Sequence, residues 1–84
     1  MENKSVLLYS LSTCGHCRSA KKLLSQNEIE YDYVDVDQLT GDERKTMIEK
    51  VKSLNPRCSF PTIVIGDQVI VGFKEDQIRQ ALDL

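Results

Sequence analysis

An α/β fold, with a four-stranded mixed sheet and three helices in the order β-α-β-α-β-β-α, is what the 84 residues predict. Three observations carry that prediction. The apolar run Val6-Leu7-Leu8-Tyr9 gives way, through a short polar turn, to apolar residues spaced for a helix. A second run, rich in aromatic and β-branched residues, follows that helix closely, and strand–helix–strand with short loops demands a parallel crossover. Near the C-terminus, Gly66-Asp67 separates two short β-branched runs, the signal of an antiparallel hairpin. A parallel pair and a hairpin in one chain of this length make a mixed sheet with helices on both faces. Residues 1–84 are read as one domain, since chains this short rarely divide.

Val6 to Tyr9 is a continuous apolar run of the kind that forms a fully buried central strand. Ser10 to Thr13 is a polar turn with good helix-capping candidates. From Cys17 onward, Ala20, Leu23 and Leu24 line one helix face that ends near Gln26-Asn27. Arg18, Lys21 and Lys22 fall between them and read as its solvated face. The second strand is expected over Tyr31 to Asp35. Thr40 and Glu43 fit a capping box, with threonine at the cap and glutamate three residues on. The helix they open carries Met47, Ile48, Val51 and Leu54, and Asn55-Pro56 stops it. Thr62 to Ile65 and Gln68 to Val71 are the hairpin strands. Gly72 breaks the second of these, and Phe73 onward reads as a last helix packing through Ile78 and Leu82.

A composition 40% apolar and 29% charged suits a globular chain with one modest core. A formal charge of −2 with dispersed lysines and arginines argues against nucleic acid as a partner. No run approaches the ~20 apolar residues that span a bilayer, so no membrane partner is expected. Met1-Glu2-Asn3-Lys4 leads straight into the first strand without a signal-peptide segment, and a cytoplasmic location is expected. Thiols stay reduced there, and three cysteines, an odd number, fit poorly with a disulfide-stapled scaffold.

The chemistry is concentrated in Ser12-Thr13-Cys14-Gly15-His16-Cys17, at the passage from strand to helix. A helix N-terminus offers free N–H groups and positive dipole charge, which favour a thiolate. A Cys-x-x-Cys beside a β-α-β pattern reads as redox chemistry. Cys14, as the first helical residue, is expected to have a depressed pKa, and Cys17, one turn deeper, a raised one. Thr13, Gly15 and His16 flank the sulfurs and are the modulating candidates; a protonated His16 would stabilise the thiolate, whereas an exposed one would only cap the turn. Cys14, Cys17, Cys58 and His16 also make four possible zinc ligands. His16 between two cysteines one turn apart strains a tetrahedron, however, and no second Cys-x-x-Cys exists, so no metal ligand is assigned. Asp32, Asp35 and Asp37 read as a solvated sheet edge that discourages further pairing.

In register along nearly the whole chain, three features resemble the glutaredoxin family of the thioredoxin superfamily: Tyr9-Ser10-x-Ser12-Thr13-Cys14-x-x-Cys17 after the first strand, Phe60-Pro61-Thr62 opening the hairpin, and Gly72-Phe73 before the last helix. The resemblance implies a thiol–disulfide oxidoreductase in which Cys14 is the exposed nucleophile and Cys17 the buried resolving thiol. It implies a cis bond at Pro61 that exposes the Phe60 backbone to an extended substrate. Tyr9, Phe60, Pro61, Thr62, Gly72 and Phe73 are the substrate-binding candidates, with Tyr9 and Phe60 either an apolar rim or ordinary core. Cys58, three residues before Pro61, is then close to the site, either as a small buried filler or as a third redox thiol bridging to Cys14.

Departures from the family pattern bear on the electron donor. Members that use glutathione commonly carry lysine where this chain has Leu11, and a Gly-Gly pair followed by acidic or small polar residues where it has the run Val71-Gly72-Phe73-Lys74-Glu75-Asp76. The run Gly72-Phe73-Lys74-Glu75-Asp76 is similar to redoxins that feed ribonucleotide reductase and are recharged by thioredoxin reductase, and Gly15-His16 resembles protein disulfide isomerase. The resemblance thus implies no bound cofactor. It implies an external reductant (glutathione, or a thioredoxin-reductase-like or ferredoxin-dependent reductase), disulfide-containing protein or small-molecule substrates, and a monomer. The alternative function is that of a metal- or iron–sulfur-cluster-binding family member, since some members hold a cluster between two monomers through the first cysteine and glutathione.

Overall fold

The apolar run beginning at Val6 becomes the strand on which the sheet is assembled. In the computed structural model, which describes residues 5–84, β1 (Val6–Ser10) pairs in parallel with β2 (Asp32–Asp35) and antiparallel with β3 (Thr62–Ile65). β4 (Gln68–Val71) completes the sheet in the order β2-β1-β3-β4. The helices are α1 (Gly15–Gln26), α2 (Gly41–Leu54) and α3 (Glu75–Ala81), so the element order is the predicted one. The stretch Met1-Glu2-Asn3-Lys4, read above as leading into the first strand, lies outside the described residues.

Alternation along the strands sorts the core onto two faces. Val6 and Leu8 of β1, Ile63 and Ile65 of β3 and Ile70 of β4 share one face. They pack with Ala20, Leu23 and Leu24 of α1 and Ile78 and Ala81 of α3; Phe73 and Leu82 lie against this cluster. Tyr9 and its cross-strand partner Thr62 point to the other face. The residue that ends α2, Asn55, donates from Nδ2 to Thr62 Oγ1 at 3.1 Å, so α2 covers that face, and its Val51 is fully buried. A central strand needs cover on both sides, which is why β1 reads as unbroken apolar sequence.

Four local expectations are revised. A short 3₁₀ turn, Val36–Gln38, stands between β2 and α2 where no element was foreseen. Cys14 precedes α1 instead of opening it. The capping box does not form: Thr40 occupies the cap position, but its side chain makes no capping bond, because Gly41 at φ +58° turns the first amides away from it. The last helix starts at Glu75, not Phe73. Gly72 takes φ +85°, its N–H donating to Pro61 O at 2.8 Å, and Lys74 N–H returns to Gly72 O at 3.1 Å. That turn spends the backbone groups a helix would need and frees Phe73 to pack on the core.

Asn55 does more than stop α2. It is 2% exposed, and its Nδ2 lies 3.2 Å from Ser59 O, 3.0 Å from Ser59 Oγ and 3.1 Å from Thr62 Oγ1, while Oδ1 accepts from Arg57 N–H. It thus ties the loop ahead of β3 to the end of α2. Asn55→Ala leaves those buried acceptors without their donor and is expected to lower stability by about 2 kcal/mol. Urea unfolding checks this, and a loss below about 0.5 kcal/mol would show that the loop holds without it.

Candidate active site

The connection between β1 and α1 is a tight turn that sets Cys14 at the N-cap of the helix. Cys14 N–H donates to Leu11 O at 3.1 Å across the turn, and Cys14 O accepts from Arg18 N–H at 3.1 Å as the first bond of the helix. At φ −85° and ψ 121° the residue is extended, as a helix cap should be, and its Sγ accepts the Cys17 N–H at 3.4 Å. A cysteine thus stands where serine or aspartate usually caps, with its sulfur over donors that otherwise lack a partner.

The two sulfurs are driven apart in acidity. Burial pushes the Cys14 thiol up, but hydrogen bonds from the Cys17 side chain, the Cys17 amide and the His16 amide, with the charge of Arg18, bring it below its ordinary value. Cys17 is fully buried, and that burial is the main reason its thiol is pushed up to about 12; its hydrogen bond to Cys14 adds to the rise. The pair therefore holds a half-buried thiolate former beside a buried, protonated thiol. His16 acts on Cys14 through its backbone N–H, and its side chain is exposed. Thr13 and Gly15 are exposed, and beyond its chain neighbours and its own helix backbone nothing lies within 4 Å of where a Cβ on Gly15 would sit.

The Phe60–Pro61 bond is cis. Register places Tyr9 opposite Thr62 and Thr62 opposite Val71, while Gly72 is bonded to Pro61. Tyr9, Pro61, Thr62, Gly72 and Phe73 therefore gather at the sheet end from which β1 leaves toward Cys14. Burial corrects part of the predicted binding set. Tyr9 is 1% exposed, so it is core and not rim. Thr62 is 0% exposed, its hydroxyl donating to Ser59 O at 2.8 Å, and Pro61 is buried as well, so neither side chain has surface to offer. Phe60, Gly72 and Phe73 keep partial exposure. Cys58 is a half-buried thiol at φ +50°, held by its N–H to Asn55 O at 2.8 Å. Among the described residues, no three His, Cys, Asp or Glu side chains converge as metal ligands.

Several residues at this site were read as plain surface. Asp35 accepts from Ser10 Oγ and from Lys21 Nζ at 3.1 Å, and Lys21 also lies 4.2 Å from the centroid of the Tyr33 ring. Asp37 accepts from Ser12 N–H at 2.9 Å and from the Ser12 hydroxyl. Asp35 and Asp37 thus tie to the end of β1 and the cysteine loop, while Asp32 is exposed, and Lys21 is engaged instead of freely solvated. The signal was present: Ser10 and Ser12 leave β1, and Asp35 and Asp37 leave β2, with the same spacing on neighbouring parallel strands.

The glutaredoxin family model matches residues 6–70. A glutaredoxin-like 8.6 kDa protein in the rubredoxin operon of Clostridium pasteurianum is 32% identical over 78 residues, covering 93% of this chain and 97% of that protein. The glutaredoxin-like protein NrdH of Lactococcus lactis is 32% identical over 75 residues, covering 89% and 96%. Among solved structures, Methanosarcina acetivorans methanoredoxin aligns with a TM-score of 0.92 and 42% identity, over 98% of this chain and 87% of that one.

Two measurements follow from the site geometry. Because its pKa is lowered, Cys14 holds its thiolate down through a pH range where an ordinary cysteine, with pKa about 8.5, is protonated. Its alkylation rate should therefore fall off only below that value, while Cys17 stays unreactive until far higher pH; a Cys14 midpoint at or above 8.5 would contradict the geometry. Gly15 opens α1 with room for a side chain and follows an extended residue, so Gly15→Pro suits the first helical position. It is expected to stabilise the fold by about 0.4–1 kcal/mol, measured by denaturant unfolding.

Proposed function

The chain belongs to the glutaredoxin family of the thioredoxin superfamily, and from that premise we propose that residues 1–84 act as one monomeric cytoplasmic domain whose Cys14–Cys17 dithiol reduces protein or small-molecule disulfides. The observation that carries the reading is the split between the two thiols: Cys14 capping α1 with a lowered pKa, and Cys17 buried directly behind it. Disulfide exchange needs one thiolate at neutral pH and a second thiol within reach.

In the first step the Cys14 thiolate attacks one sulfur of the substrate disulfide. The substrate S–S bond breaks, a Cys14–substrate disulfide forms, and the departing thiolate takes a proton from water. Cys17 then gives its proton to water and attacks Cys14 Sγ, which breaks the Cys14–substrate S–S bond, releases the second substrate thiolate and leaves a Cys14–Cys17 disulfide. Two electrons have passed from the dithiol to the substrate. Consuming the Cys14 thiolate removes its charge from beside Cys17, one of the causes of the raised Cys17 pKa, so the first step eases the second. The half-buried Phe60, Gly72 and Phe73 are the binding surface, with the Phe60 backbone offered to pair with an extended substrate.

For the donor, a thioredoxin-reductase-like enzyme is favoured over glutathione. Leu11, half-buried and aliphatic, stands where glutathione-using relatives place a lysine, so the cation that would hold a glutathione carboxylate is missing at that position. Cys14→Ser is expected to abolish disulfide reduction, and Cys17→Ser to trap a mixed disulfide with the substrate that mass spectrometry identifies. No trapped adduct from Cys17→Ser, with full turnover by Cys14→Ser, would overturn the assignment. Turnover should be supported by NADPH with a thioredoxin reductase and gain little from glutathione; Leu11→Lys should raise the glutathione-supported rate.

A further inference from the structure

We propose that Asp37 is a positioning residue for Cys14: its carboxylate clamps Ser12 and thereby fixes the turn that holds the thiol on the cap of α1. The inference rests on the redox reading above and adds to it a residue outside the Cys-x-x-Cys motif. One oxygen of Asp37 accepts the Ser12 N–H at 2.9 Å and the other accepts the Ser12 hydroxyl, so Ser12 is gripped at both main chain and side chain. Gln38 Nε2 reaches the same Ser12 Oγ at 3.0 Å, and Arg44 of α2 donates to Asp37 O at 2.9 Å, which holds the clamp itself in place. Ser12 lies inside the turn closed by Cys14 N–H and Leu11 O, so moving Ser12 moves Cys14. Those Ser12 hydrogen bonds also keep the Asp37 carboxyl below the usual carboxylate range, as expected for an acceptor ionised in place.

The Cys14 cap contact is long, 3.4 Å from Sγ to the Cys17 amide, and depends on Cys14 staying extended. Loosening Ser12 lets Cys14 leave the cap, and its thiolate loses amide donors. Loss of positioning therefore raises the pH at which Cys14 ionises. Simple removal of a nearby negative charge does the opposite, because an anion disfavours a thiolate. The direction of the change separates the two effects, and a tie serving stability alone moves the midpoint in neither direction.

The test is the pH profile of Cys14 alkylation by iodoacetamide in the reduced full chain, resolved by mass spectrometry so that Cys17 and Cys58 are counted apart. Asp37→Ala is expected to move the Cys14 midpoint upward and slow alkylation at neutral pH by about threefold, corresponding to roughly half a pKa unit. Asp37→Asn, which keeps an acceptor for the Ser12 N–H without the charge, should recover most of the wild-type rate. A midpoint that is unmoved or lowered in Asp37→Ala overturns the proposal. If that variant does not fold, Ser12→Ala, which removes one arm of the clamp, decides alone: a smaller upward shift supports positioning, and an unchanged profile overturns it. Alkylation needs no disulfide substrate. A wild-type chain that reduced no disulfide would therefore sink the redox reading while leaving the Asp37 result interpretable.

Discussion

The hydrogen bond between the Cys14 sulfur and the first turn of α1 is the interaction on which the site depends. A helix start has amide donors without partners of their own, and a side chain must be held over them at the right height to use them. Here the chain leaves the centre of the sheet at Ser10 and turns at Leu11 to Cys14, so that the sulfur arrives as the cap. The rest of the architecture supports that arrival. β1 is fixed on both edges by β2 and β3, α1 is pinned to the sheet by Ala20, Leu23 and Leu24, and the carboxylates of Asp35 at the end of β2 and Asp37 just beyond it hold Ser10 and Ser12.

The same placement separates the roles of two chemically identical side chains. One turn of helix is enough to carry Cys17 from the half-open position of Cys14 to full burial. Burial makes the charged form of Cys17 costly and outweighs the favourable charge of Lys21, while Cys14 has amides and Arg18 to favour its own. The asymmetry is therefore a property of position on the helix and not of the residues.

Much of the fold was legible because its signals are local. The hairpin Thr62–Ile65 and Gln68–Val71 around Gly66-Asp67 was read to the residue, since β-branched runs and a glycine at φ +59° are short-range determinants. The buried central strand was legible from unbroken apolarity. The misreadings share a cause. Thr40 and Glu43 satisfy a capping pattern, but a left-handed Gly41 between them defeats it. Tyr9 and Thr62 were placed among the binding residues because of where they fall in the motif, and only the packing of α2 over their face shows them to be interior. Lys21, Asp35 and Asp37 look like solvated charges in a linear reading, because their side-chain partners lie 12 to 25 residues away.

By itself, the order of residues determined the β-α-β-α-β-β-α succession, the central strand and the two thiols at a helix start, because hydrophobic period, turn chemistry and the three-residue spacing are all local quantities. Tertiary structure decided the rest of the site. It made Cys14 a cap instead of a first helical residue, and it buried Cys17 beneath it. It also brought Asp37, in the 3₁₀ turn after the neighbouring strand, to hold the turn between β1 and α1. The physical reason is that a thiol's acidity and exposure depend on donors, charges and solvent around it in space. In this chain those neighbours are assembled by strand pairing and helix packing across long sequence separations.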